Sequence, residues 1–134
     1  MKQNNGYISA NDLENYKPRF SEPILTTYRN YKIFAHPPPA GGAAVLLEGL
    51  NIIENFDLTK YSHNSIEYIK LLAKVMSFAY ADRSKYLGDQ NFFNSPIEKL
   101  TSKNYANIIS KKIKSGEKVS VEPGIYFYEG DQTT

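Results

Sequence analysis

One stretch constrains this chain more than any other: the apolar-rich run from Ser65 to Leu87, SIEYIKLLAKVMSFAYADRSKYL, closed by Gly88. Its apolar residues recur at alternating threes and fours, the period of an α-helix rather than a strand. Two interleaved stripes result. One is Ile66, Ile69, Ala73, Met76, Tyr80, Arg83 and Leu87; the other is Tyr68, Leu72, Val75, Ala79, Asp82 and Tyr86. Glu67, Lys70, Lys74, Ser77 and Ser84 form the polar remainder. Asn64 is placed to cap the start and Gly88 to end the helix in a left-handed turn. At 1.5 Å per residue the helix would be about 35 Å long, the width of a small domain. A helix with both stripes covered would be the centre of its fold. Asp82 and Arg83 are the anomaly, since they fall on the buried stripes.

The flanking segments read as smaller elements. Ser9 and Asp12 signal a helix start, and Pro18 limits that helix to Asn11–Tyr16. Ile24–Tyr28 and Tyr31–Ala35 are β-branched and aromatic runs separated by Arg29-Asn30, the spacing of a hairpin. The run His36-Pro37-Pro38-Pro39-Ala40-Gly41-Gly42 fits neither a helix interior nor a central strand. A helix is expected from Ala43 to Glu54, burying Ala43, Leu46, Leu47, Leu50 and Ile53. Gly49 inside it costs about 1 kcal/mol against Ala, which suggests close approach by another backbone. Asn55–His63 reads as a linker and Asp89–Ser95 as a loop, and Pro96 opens a helical turn. Asn104–Lys114 reads as a helix stopped by Gly116, with Lys111, Lys112 and Lys114 placed favourably against its dipole. Glu117–Gly124 is loop-like, and Ile125–Tyr128 reads as a short strand. The order is α+β, in one partial domain over residues 1–134 whose tail is 117–134. A lone hairpin is marginal, so this chain reads as a piece of something larger.

Composition removes several function classes. The 16 basic and 14 acidic residues are too balanced for a nucleic-acid surface. The absence of Cys excludes disulfides, thiolate catalysis and cysteine metal ligands. No run approaches the roughly 18 apolar residues of a membrane span. MKQNNGYISAND lacks the apolar core of a signal peptide.

Local motifs carry little chemistry. The Pro-Pro-Pro-Ala-Gly-Gly loop can present N–H groups to an anion, but it lacks the Lys-Ser/Thr of a phosphate loop; a rigid turn is the simpler role. His36 and His63 have no partner at ligand spacing, so neither a metal site nor a general base is indicated. Asp82-Arg83 suits catalysis or, more commonly, a buried pair satisfied by neighbouring backbone or by each other's partners, removal of one member costing about 3–5 kcal/mol. Asp89, Glu98, Glu122, Glu129 and Asp131 show no paired-carboxylate arrangement. Lys111, Lys112, Lys114 and Lys118 suit a solvated helix end. Thr133 has no local nucleophile signature, and Thr133-Thr134 taken alone is a tail.

Read together, several stretches resemble the γ-glutamyltranspeptidase family. They are Gly6-Tyr7-Ile8-Ser9 with Asp12-Leu13 and Asn15-Tyr16, then Tyr28-Arg29-Asn30-Tyr31, Pro37 to Gly42, and Leu50 to Leu58. Ala79-Tyr80-Ala81-Asp82-Arg83-Ser84-Lys85-Tyr86-Leu87-Gly88-Asp89 is the most specific, and Leu100 to Ala106 adds another. The resemblance implies the C-terminal part of the large subunit of an N-terminal-nucleophile hydrolase, a fragment of an αββα sandwich. It implies a precursor that cuts itself between Gln132 and Thr133, leaving Thr133 as nucleophile with its free α-amine as base. The implied reaction passes a γ-glutamyl group from glutathione or a related amide to water, an amino acid or a peptide, without metal or organic cofactor. The implied partners are the rest of the large subunit and the small subunit, with no nucleic acid. Relatives are often periplasmic, secreted or cell-surface.

Departures from the family pattern are specific. Ala40 stands where Ser is common and Asn30 where Gly is common. The His that usually follows the Thr pair, the small-subunit oxyanion groups and the Arg that grips the substrate carboxylate are not in this chain, so alone it is expected to be inactive. Two alternatives stay open: a non-catalytic helical remnant or split-gene subunit that only binds partner chains, and a relative acting on another amide, such as poly-γ-glutamate or an acylated antibiotic.

Overall fold

The computed structural model describes residues 4–18, 20–88 and 92–119. Helix α1 (Ala10–Asn15) opens on a reciprocal cap: Ser9 Oγ accepts from the Asp12 amide, and the Asp12 carboxylate accepts from the Ser9 N–H. None of its residues is buried. Strands β1 (Ile24–Tyr28) and β2 (Tyr31–Ala35) then pair antiparallel, with Tyr28 opposite Tyr31 and Ile24 opposite Ala35. Arg29 and Asn30 both take positive φ, 46° and 72°, as a two-residue turn between right-twisted strands demands. The inner face, with Thr26 at its centre, packs on the next helix; Leu25 and Phe34 stand opposite one another on the outer face, both exposed.

That next helix, α2 (Gly41–Ile53), is the true centre. It touches β1, β2, α3 (Ile66–Tyr86), α4 (Ile97–Leu100) and α5 (Lys103–Ser115). It is buried around most of its girth, at Ala44, Val45, Leu47, Glu48, Gly49, Asn51, Ile52 and Ile53. The expected one-sided face is therefore corrected: Leu46 is exposed, and Ala43 and Leu50 are only partly covered. A helix enclosed by several neighbours carries no single apolar stripe for periodicity to find. Among the described residues no other backbone approaches Gly49 either; a Cβ there would meet Val75 Cγ1, at 3.8 Å, and nothing nearer.

Helix α3 corresponds to the long run but is peripheral. It packs on α2 and α5 along Leu71, Val75, Phe78 and Ala79, with Tyr68, Leu72, Asp82 and Tyr86 partly covered. Ile66, Ile69, Met76 and Tyr80 are exposed, so the first of the two apolar stripes is uncovered among the described residues. Ser65 rather than Asn64 is the N-cap, its Oγ accepting from the Tyr68 amide at 3.2 Å. Asn64 instead takes the left-handed turn, φ 56°. The helix ends at an extended Leu87, and Gly88 has no positive φ. The linker contains a 3-10 turn, Leu58–Lys60, capped by Asp57.

Helix α5 matches its expected pattern closely. Ser102 caps it, Ala106, Ile109, Ser110 and Ile113 are buried at helical spacing, and Gly116 closes it at φ 79°. Ile52, Ile53, Leu71, Val75, Phe78, Ala106, Ile109 and Ile113 form the core shared by α2, α3 and α5. Each of the larger side chains among them contributes about 1.5–3 kcal/mol through burial, and Ala106 less.

Candidate functional site

Polar groups tie this core together at three places along α2. Asn51 is fully buried; its Oδ1 accepts from Thr26 Oγ1 at 2.8 Å and its Nδ2 donates to the Thr101 carbonyl at 2.6 Å. One amide thus joins the hairpin to the segment between α4 and α5. One turn later, Glu54 accepts from the Arg29 amide at 2.6 Å and from Lys103 Nζ at 2.5 Å, while Lys103 also donates to the Thr27 carbonyl. The Lys103 hydrogen bond, followed by the Arg29 N–H, holds the Glu54 carboxyl below its usual range.

The third place is an acidic cluster one turn before Asn51. Glu48 is 2% exposed, and its Oε1 has no partner among the described residues. Asp82 faces it across the α2–α3 contact within hydrogen-bonding reach. Tyr105 of α5 donates to Asp82 Oδ2 at 2.6 Å. Burial first, then the charge of Asp82, pushes Glu48 up to about 9, so Glu48 is protonated at neutral pH. Burial and the Asp82 hydrogen bond raise the Tyr105 phenol as well.

This arrangement corrects the expectation that Asp82 and Arg83 are both buried. Successive helical residues point about 100° apart and do not face each other. Asp82 turns inward to Glu48 and Tyr105, whereas Arg83 is exposed and lies along the start of α2, its Nε 3.0 Å from where a Gly41 Cβ would sit. Larger side chains at Gly41 would have to displace Arg83. The Pro-rich loop is a strand-to-helix turn, and Ala40 at its end makes no side-chain cap.

The carboxyl pair was not legible from local spacing, because its members lie on different helices. The available signal was Glu48 itself, set between Leu47 and Gly49 in an apolar run. The other sequence candidates stay apart. His36 Nδ1 lies 2.7 Å from the Pro37 carbonyl, and His63 is exposed. Among the described residues no group of His, Cys, Asp or Glu is arranged to hold a metal, and no helix is long and apolar enough to cross a membrane. Lys111, Lys114 and Lys118 are solvent-exposed. A cavity of about 560 Å³ between the Phe20–Pro23 segment and the Phe34–Pro39 turn is mostly apolar, with Ser21 and His36 as the polar side chains of its lining. Thr133, Gln132 and the expected strand Ile125–Tyr128 lie outside the described residues, as do Asp89, Glu122, Glu129 and Asp131. The described part is a scaffold, and no reacting group is assembled in it.

Comparison with known proteins supplies what this geometry alone does not. The family model for gamma-glutamyltranspeptidase matches residues 1–134. The glutathione hydrolase proenzyme of Escherichia coli K12 is 40% identical over all of this chain, which spans 24% of that protein's length. Among solved structures, Helicobacter pylori gamma-glutamyltranspeptidase superposes with a TM-score of 0.79 at 34% identity, covering 100% of this chain and 36% of that one. Cephalosporin acylase from Bacillus halodurans superposes with a TM-score of 0.71 at 31% identity, covering 83% of this chain and 20% of that one. The mostly helical architecture with one hairpin is a fragment of the sandwich these hydrolases share.

Proposed function

Because this chain belongs to the gamma-glutamyltranspeptidase family, we propose that it is the C-terminal segment of the large subunit of a γ-glutamyl-transferring hydrolase precursor, with Thr133 as the future nucleophile. The observation that carries this reading is the collinear match through residue 134 to a family whose Escherichia coli member is described as a proenzyme. In sequence, the tail that leads to Thr133 follows α5, which ends at Ser115.

The chemistry follows from a hydroxyl next to a peptide bond. Thr133 Oγ1 attacks the Gln132 carbonyl carbon, the C–N bond breaks, and the acyl group moves to oxygen as an ester while the Thr133 nitrogen becomes a free amine. Water then attacks the ester, releasing a Gln132 carboxylate and restoring the Thr133 hydroxyl. That amine now takes the Oγ1 proton as the hydroxyl attacks a γ-glutamyl amide, and returns it to the departing amine. The resulting γ-glutamyl ester passes to water or to an amino-acid or peptide amine. Oxyanion and carboxylate recognition come from the remaining large-subunit and small-subunit residues, so the 134-residue chain alone is inactive.

A second reading keeps the nucleophile and changes the acyl group, because the acylase likeness spans most of this chain as well. The test is expression of the complete precursor with and without Thr133→Ala. Cleavage at Gln132–Thr133 only in the parent is expected; cleavage of the Ala variant at the same bond would remove Thr133 from its role. Turnover of γ-glutamyl-p-nitroanilide, set against a cephalosporin side-chain amide, decides between the two acyl groups. Neither should be turned over by this chain alone.

A further inference from the structure

Two carboxyl groups that meet in a helix interface without a cation cannot both be ionised cheaply. Glu48 comes from α2 and Asp82 from α3, and Tyr105 of α5 adds its hydroxyl to Asp82. Among the described residues, the charged groups on the elements packed around the pair lie elsewhere, Lys85 of α3 over the Tyr86 ring among them. On α3, Arg83 lies against Gly41 and Tyr86 adds only another acidic hydroxyl. On α5, Lys103 is committed to Glu54 and the Thr27 carbonyl. Glu98 and Lys99 of α4 and Lys32 of β2 are exposed, and the Arg29 guanidinium lies over the Tyr28 ring. One proton between the two carboxyls is the arrangement that satisfies both electrostatics and hydrogen bonding.

We propose that Glu48 and Asp82 share a single proton and, with Tyr105, form a pH-dependent latch that holds α2, α3 and α5 together and loosens as the medium becomes alkaline. The direction follows from proton linkage. In the unfolded chain Glu48 loses its proton near its ordinary 4.5, whereas in the fold it keeps it to about 9. Between these limits the folded state binds one more proton, so its stability falls as pH rises. The contribution is complete below about pH 4.5 and gone by about pH 9. The carboxyls held low by their own partners, Asp12, Glu54 and Asp57, titrate below this window and act in the opposite sense. The latch is a property of the three-helix core and does not depend on the reaction the complete protein performs.

Glu48→Gln provides the test, since an amide copies the protonated acid in shape and can still donate to Asp82. Urea unfolding of the 134-residue chain is followed at intervals from pH 5 to 9. The difference between parent and variant removes the titration of groups common to both. The expected result is a folded-to-unfolded ratio that falls by up to tenfold per pH unit in the parent relative to the variant. Parallel profiles would overturn the proposal. Difference infrared spectroscopy gives an independent reading should the variant not fold. A carboxylic-acid carbonyl band persisting in the folded parent at pH 7 is expected, and its absence there would overturn the shared proton.

Discussion

Tyr105 on α5 donates its hydroxyl proton to Asp82 on α3 across 2.6 Å, in the same cluster where Asp82 meets the buried Glu48 of α2. A single phenol thus fixes the orientation of the carboxylate on which two helices converge. The most specific family stretch, Ala79 to Asp89, places Asp82 on the inner side of α3 for this purpose. Tyr105→Phe keeps the ring and deletes the bond. Because the partner is charged but only partly buried, the expected loss is about 1–2 kcal/mol, read from the urea midpoint at pH 7. An unchanged midpoint would mean that the phenol merely fills space.

Asn51 is a more demanding position. Its amide joins Thr26 of β1 to the Thr101 carbonyl from the heart of α2, with no exposure to water that could replace either partner. Asn51→Ala leaves both partners without it and should cost about 2–4 kcal/mol. Thr26→Val removes only one of the two bonds and should cost about 1 kcal/mol. In the double variant the penalties should not add, because the Thr26 bond is lost in either case. Strict additivity in denaturant unfolding would mean that the two side chains are energetically independent.

Gly49 should prove replaceable. Its backbone is helical, and an added methyl would make an ordinary contact with Val75. Gly49→Ala is therefore expected to stabilise the chain by about 0.5–1 kcal/mol, through a less flexible unfolded state and the extra contact. A lower thermal midpoint for the variant would show that the space beside Val75 is needed as it stands. Gly116 is the contrasting case: nothing crowds it, but its φ of 79° is one that Ala adopts only with strain.

How far the fold was legible depended on whether local chemistry or remote neighbours decided each element. The hairpin is found at its expected residues, because Arg29-Asn30 permits the tight turn and the flanking runs suit strands. Helix α5 lies within one residue of its expected span, since Ser102 and Gly116 cap it and one side faces the core. The long helix is equally clear, but its rank in the fold is lower than its pattern implies. Its two apolar stripes imply burial on both, and the described residues cover only one. The burial of Glu48 is hidden from local pattern for the opposite reason: a lone carboxylate in an apolar run says nothing about which helix will meet it.

The amino-acid order by itself determined the helical period of Ser65–Leu87, the hairpin turn, the Ser9 start of α1, the Gly116 stop of α5 and the membership of a hydrolase family, because these rest on backbone preference and short-range or collinear pattern. Only the tertiary structure decided that α2, not α3, is the hub, that Asp82 turns in while Arg83 turns out, and that Glu48 and Asp82 meet. Those outcomes depend on which surfaces lose contact with water once the helices pack. Residues far apart in the chain share that environment, and no local pattern encodes it.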